Sequence, residues 1–283
     1  MATGSASTPS SSAHGQARRA ANSTAVAAGA RAGFVARGVI YVLVGVLAVR
    51  LAFPGGGGRP ADRGGAIAEI AHHPFGSVLL WLLGVGLAGM ALWRLSEAVF
   101  GQAGPDGATA GKRAMAAARC VFYGFVAYSV LAYAIGEKGS GGGSSDKTSR
   151  DVTAKALAWP GGQWIVGAAG VAVVCCGLWI AGRAVMRKFH KHLRMGEMSR
   201  RQRRAVDFFG VFGGASRGIV FATAGGFAVA AAKRHTPGRA TGMDNTLRSF
   251  AGTPAGPWLL VLIALGLVAF GVFSWASARW RAV

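Results

Sequence analysis

The sequence predicts an all-α membrane protein with six transmembrane helices, arranged as three parallel two-helix repeats around a pseudo-threefold axis. Three observations predict it. Of the 283 residues, 52% are hydrophobic and only 14% are charged, where a soluble domain carries about a quarter charged residues. Six apolar segments approach the ~20 residues a spanning helix needs: 33–53, 77–96, 117–136, 162–182, 212–232 and 257–278. Finally, a pattern around Pro-x-Gly recurs three times, at Pro74/Gly76, Pro160/Gly162 and Pro254/Gly256.

The second, fourth and sixth segments are the clearest spans. Ser77–Trp93, Gln163–Gly182 and Pro257–Ala278 contain no charged residue. Such uninterrupted runs do not fit barrel strands, which alternate over roughly ten residues. The first, third and fifth each carry an arginine near the start: Arg37, Arg119 and Arg217. An arginine one turn inside a helix end reaches the headgroups by snorkelling. The functional alternative is an inward-facing arginine that binds an anion or pairs with a carboxylate such as Glu97.

The 45 glycines fit close helix packing in a bilayer. Gly210, Gly214, Gly218, Ala222 and Gly226 recur every fourth residue along the fifth span. They predict a ridge of small residues against a neighbouring helix, which leucine at Gly218 or Gly226 would disrupt. Cys120, Cys175 and Cys176 form no disulfide framework, since adjacent helical cysteines do not bridge readily and the count is odd. They read as small buried apolar residues.

The repeat extends beyond Pro-x-Gly. Arg37 precedes Pro74 by 37 residues, Arg217 precedes Pro254 by 37, and Arg119 precedes Pro160 by 41. Nineteen residues after each proline stands an aromatic: Trp93, Trp179 and Phe273. Upstream of the prolines lie Asp62, Asp151 and Asp244, each opening a short stretch with apolar residues at helical spacing. An aspartate at an N-cap accepts orphan backbone N–H bonds, and Pro suits a first helical turn. The expectation is a one- to two-turn amphipathic helix in the interface, leading through Pro-Gly into the even-numbered span. Because each unit crosses twice, the three units are parallel rather than inverted repeats.

Net charge is +21, which in a soluble protein would suggest nucleic acid. Here the basic residues fall between apolar runs, so they are read as setting orientation, and no specific nucleic-acid partner is expected. Of the 31 Lys and Arg, 20 fall on the side of the two termini and 11 on the other. The positive-inside rule then places both termini in the cytoplasm of a cell-membrane protein. The densest basic segment is "RAVMRKFHKHLRMGEMSRRQRR" (183–204). If the fourth span continues as a helix, Arg187, Lys188, Lys191 and Arg194 alternate with Met186, Phe189 and Leu193 and face anionic lipid headgroups. The plainer reading is that these charges only fix topology.

No catalytic residue, cofactor or metal is expected. Glu69, His72 and His73 share a helix face, but the other repeats offer nothing equivalent and a zinc site needs three or four ligands. His190 and His192 read as solvated. No nucleophile–base motif appears, so the protein is not expected to be an enzyme. A structural or interaction component of the membrane is the expected role, with unknown protein partners. The alternative is a passive transporter or channel for a small neutral solute.

These motifs carry a resemblance. The Arg-Gly pairs (Arg37-Gly38, Arg217-Gly218), "RGVIYVLVGVLA", "HPFGSVLLWLLGVGL" and "PAGPWLLVLIALGL" resemble the bacterial membrane family called domain of unknown function 1206. The second unit departs most, with Cys120 after its arginine and a Gly/Ser-rich loop at 139–145. The resemblance implies a multi-span inner-membrane protein in three tandem copies, and no activity. The expected organisation is a disordered tail (1–31), repeat 1 (32–101), repeat 2 (114–188), a basic cytoplasmic connection (189–206) and repeat 3 (207–281).

Overall fold

The computed structural model describes residues 24–53, 60–101, 109–136, 145–234, 243–251 and 256–281. Among them are nine α-helices, in three successive long–short–long triplets. Repeat 1 contributes α1 (Thr24–Leu51), α2 (Arg63–His72) and α3 (Gly76–Phe100). Repeat 2 contributes α4 (Ala110–Ala134), α5 (Ser145–Leu157) and α6 (Gly162–Val185). Repeat 3 contributes α7 (Arg200–Arg234), α8 (Met243–Ala251) and α9 (Gly256–Trp280). The six long helices are apolar and long enough to cross a bilayer.

The spans form a ring held chiefly between repeats. Each even-numbered member packs on the first span of the next repeat: α3 on α4, α6 on α7, and α9 back on α1. Small residues make these contacts possible. A Cβ at Gly218 would lie 2.6 Å from the Gly177 carbonyl oxygen, and one at Gly225 2.8 Å from the Gly170 oxygen. At the equivalent α9–α1 contact, a Cβ at Gly38 would lie 2.9 Å from the Gly271 oxygen, and one at Gly45 2.8 Å from the Ala264 oxygen. Gly218/Gly225 and Gly38/Gly45 are both heptad pairs, so each stays on one helix face. The glycine of the Arg-Gly motif is thus the residue on which the neighbouring helix rests.

Within repeats the ring is uneven. Helix α1 packs on α3 and α7 on α9, whereas α4 and α6 share no packed interface among the described residues. The sequence explains this. Four residues before the arginine stand Gly33 and Gly213, each pressed on its partner span: a Cβ at Gly33 would lie 2.8 Å from the Gly86 oxygen, one at Gly213 2.6 Å from the Phe270 Cα. Repeat 2 has Met115 there. Twelve residues after the proline, Gly86 meets Ala32 and Ala36 while Gly266 meets Ser216; repeat 2 has Ala172. Both close-approach glycines are missing from repeat 2, and its two spans stand apart.

The short helices gather at the end of the bundle opposite the termini. They have 10, 13 and 9 residues, about three turns each, longer than the expected one or two. Asp62 caps α2, accepting from Gly65 N at 2.9 Å. The other two aspartates do something else, because their helices start earlier: Asp151 is mid-helix in α5 and Asp244 is the second residue of α8. Asp244 is buried and ties repeat 3 to repeat 1, accepting from Ala61 N at 2.7 Å and from Arg248 Nε at 2.9 Å. The Pro-x-Gly turn also differs from expectation. Its glycine, not its proline, opens the span: Gly76, Gly162 and Gly256 are the first residues of α3, α6 and α9. A Cβ at Gly76 would lie 2.8 Å from the Ala71 oxygen, so the turn needs glycine where the span starts against the end of the short helix.

Other expectations are corrected. Thr24–Arg31 belong to α1 rather than to a tail; their alanine-rich sequence favours helix. Residues 1–23 lie outside the described residues, as does Pro254. Helix α7 begins at Arg200, inside the expected basic connection. The cysteines are not buried: Cys120 is half-buried on α4, and Cys175 and Cys176 are exposed because α6 is the least buried of the six spans. Gly226 faces open space, with nothing within 4 Å of a Cβ. A four-residue spacing drifts around a 3.6-residue helix, and Gly225 takes over the α6 contact.

Candidate anion-binding site

With α1 helical from Thr24 to Leu51, Arg37 lies about 20 Å from either end, near the middle of the span. Arg217 is likewise central in α7, between Arg200 and Arg234. Neither is one turn inside a helix end, so neither snorkels. Both line a cavity of ≈ 310 Å³ whose wall is drawn from α1, α2, α3, α4, α5, α7 and α8. Arg63 at the start of α2 lines it as well.

The cavity wall explains how guanidiniums reside there. Arg37 Nε donates to Ser274 Oγ at 3.1 Å and Nη1 to Tyr123 Oη at 3.4 Å. Its guanidinium lies over Phe34 and Phe270, at 4.8 and 5.2 Å from the ring centroids. Arg217 also lies over Phe270, at 4.9 Å, and over Phe221 and Tyr41 at 5.3 and 5.6 Å. Arg63 lies over Phe125 at 5.5 Å. Toward the termini, Arg281 lies over the Phe34 and Trp93 rings, at 5.1 and 5.2 Å. Arginine and aromatic rings therefore alternate down the bundle: Arg281, Phe34, Arg37, Phe270, Arg217.

Magnitudes decide what this achieves. An arginine at the centre of a span costs ~2.5–3.5 kcal/mol on insertion scales. Each desolvated cation–π contact returns ~0.5–2 kcal/mol. The rings can carry the insertion cost, but they neutralise no charge. Arg94 pairs with Glu97; among the described residues no carboxylate is paired with Arg37 or Arg217. The Nε atoms of Arg63, Arg94 and Arg217 are buried and have no hydrogen-bond partner there. Arg281, just beyond α9, is pushed down to about 9 by burial and by the like charges of Arg94 and Arg37, and so remains a cation at pH 7. The chamber is electropositive, with donor groups left over.

A sequence signal for this site exists. Four residues after each repeat arginine stands an aromatic, Tyr41, Tyr123 and Phe221, and all three line the cavity. One helical turn past the arginine lies on the same face, so the triplet marks the inner wall. Arg119 departs from the pattern: it is exposed, and repeat 2 contributes Tyr123 instead.

The profile of the family described as Domain of Unknown Function (DUF1206) matches residues 32–101, 114–187 and 212–281. The chain belongs to this family. A relative described as "Uncharacterized protein YxxB", from Bacillus subtilis (strain 168), is 29% identical over 246 residues, covering 86% of this chain and 87% of the relative. No solved structure matches. The chamber is built from all three DUF1206 units: Arg37 and Arg63 from the first, Tyr123 from the second and Arg217 from the third.

The basic segment at the end of the second DUF1206 match is not the expected amphipathic helix. Helix α6 ends at Val185, Arg187 adopts a left-handed conformation (φ 53°), and Lys188–His192 form a 3-10 helix. The segment is docked, not extended. Phe189 packs edge-on against Phe273 at 5.0 Å, Arg194 N donates to the Trp280 oxygen at 2.9 Å, and His190 pairs with Asp207. Arg187, Lys188, Lys191 and Arg194 are exposed at the terminus end. Arg187 faces Asp207 at 3.9 Å and Arg194 faces Glu197 at 3.5 Å. Glu69 pairs with Arg50 at 3.4 Å, while His72 and His73 are exposed.

Proposed function

We propose that this DUF1206 protein is an anion-binding protein of the cell membrane that works by binding rather than catalysis. The observation that carries the reading is the pair Arg37 and Arg217, held at mid-span around one chamber with an unpartnered Arg217 Nε. An oxyanion placed there accepts charge-assisted hydrogen bonds from guanidiniums already half-buried and oriented. Tyr41, Tyr123, Thr148 and Ser149 add hydroxyl groups to the wall. The described lining includes no carboxylate or imidazole to serve as a base, which favours binding over acid–base chemistry. Fixed positive charge also favours an anion over the neutral solute of a passive channel.

We place both termini in the cytoplasm on the distribution of basic residues, which is 18 to 11 once the mid-span Arg37 and Arg217 are set aside. Arg187, Lys188, Lys191 and Arg194 then face cytoplasmic anionic headgroups from the docked loop, a contact separate from the chamber.

The test is inorganic phosphate titrated into detergent-purified protein at constant ionic strength, read by thermal unfolding. Phosphate is expected to raise the unfolding temperature of the wild type above a chloride control, and Arg217→Gln to abolish the difference. An identical response in both proteins, or none in the wild type, rejects the reading.

A further inference from the structure

The ring of spans is open on one side, between α4 and α6, and that opening has contents of its own. Beside it a groove of ≈ 540 Å³ runs between α5, α6 and α7. Its wall is almost wholly apolar: Val152 from α5, Ile165, Ala169 and Val173 from α6, Ala224 and Ala228 from α7. The groove and the arginine chamber adjoin. Thr148, Ser149, Phe221 and Met243 line both. Moving inward from the bilayer, the wall thus changes from aliphatic to hydroxyl to guanidinium. It does so in the half of the bundle that α2, α5 and α8 roof over.

That gradient is the gradient of an anionic amphiphile. A soluble anion needs the arginines and has no use for the aliphatic approach. A neutral lipid needs the approach and leaves the guanidiniums unpaired. The opening has a structural cause peculiar to repeat 2. Met115 and Ala172 replace the glycines that draw the two spans together in the other repeats. The same repeat places its arginine, Arg119, outside the cavity lining. An entry at this point leads from hydrocarbon directly to the unpartnered Nε atoms of Arg63 and Arg217.

We infer that the α4–α6 gap is a lateral entry for an anionic phospholipid, whose phosphate reaches Arg63, Arg217 and Arg37 while an acyl chain lies in the groove against α6 and α7. The occupant comes from the leaflet on the side of the short helices. This rests on the anion-binding reading and names its ligand.

Full-length protein in detergent, supplied with equal amounts of phosphatidic acid and phosphatidylcholine, is examined by native mass spectrometry. The wild type is expected to retain phosphatidic acid at least about tenfold over phosphatidylcholine. Arg217→Gln is expected to lose that preference. Ala224→Trp and Ala228→Trp fill the groove without touching the arginines, so they are expected to lose the retained lipid yet keep the thermal response to inorganic phosphate. That response also reports that these variants are folded. Equal retention of both lipids, or tryptophan variants that retain phosphatidic acid as the wild type does, overturns the lateral-entry proposal. A phosphate response without any retained lipid overturns it too and assigns the chamber to a soluble anion. Absence of both responses removes the anion-binding reading itself.

Discussion

Arg37, Arg119 and Arg217 share a sequence context, an aromatic four residues on, yet only two of them line the chamber. The context alone fixes the helix face; the depth is fixed by where each helix begins, and that is what composition obscures. Thr24–Arg31 look like a polar tail but extend α1 by two turns, which moves Arg37 from the rim to mid-span. The Glu97 pairing anticipated for an inward arginine is made by Arg94 instead. Asp244 is the other residue whose role lay beyond the sequence, because its partner Ala61 is 183 residues away. Asp244→Ala leaves a buried N–H without an acceptor, at a cost of about 1–3 kcal/mol. It also removes the Arg248 pair, whose guanidinium is more exposed and adds little. Thermal unfolding in detergent checks this, with Asp244→Asn expected to lose less because its amide oxygen still accepts.

At the scale of elements, glycine spacing carried most of the information, with a correction for helical drift. The fourfold series Gly210–Gly226 runs along α7, but the helix turns it away from α6 by its last member. Leucine at Gly218 meets the α6 backbone at Gly177 and the Ala181 side chain, so the two helices must part. Overpacking of this kind costs about 1–3 kcal/mol, occasionally more. Leucine at Gly226 meets nothing within 4 Å of its Cβ and is expected to leave the unfolding temperature unchanged. Equal destabilisation by the two substitutions would contradict the α6–α7 interface described above. The basic loop was legible as a charge cluster but not as a conformation. Its fold depends on Phe189 and Leu193 finding α9, more than 80 residues downstream, and no local periodicity encodes that.

For the whole molecule, the three-unit architecture was legible because a tandem repeat writes itself three times. Pro-x-Gly, the arginine and the trailing aromatic are local features that need no tertiary knowledge. What broke the threefold symmetry was also written there, as Met115 and Ala172 in place of glycines, but its meaning needed the geometry of the other two repeats. Among the described residues the bundle holds a chamber whose wall carries three arginines. Its positive character is the central claim, and side-chain accessibility tests it most directly. In a background lacking Cys120, Cys175 and Cys176, Arg217→Cys is treated with thiosulfonate reagents of matched size, one bearing a sulfonate and one a trimethylammonium group. Arg37 and Arg63 remain in the wall, so the sulfonate reagent is expected to react at least about tenfold faster, like-charged approach being disfavoured in a site of low dielectric. Equal rates for the two reagents, or faster reaction with the cation, would contradict an anion-binding chamber.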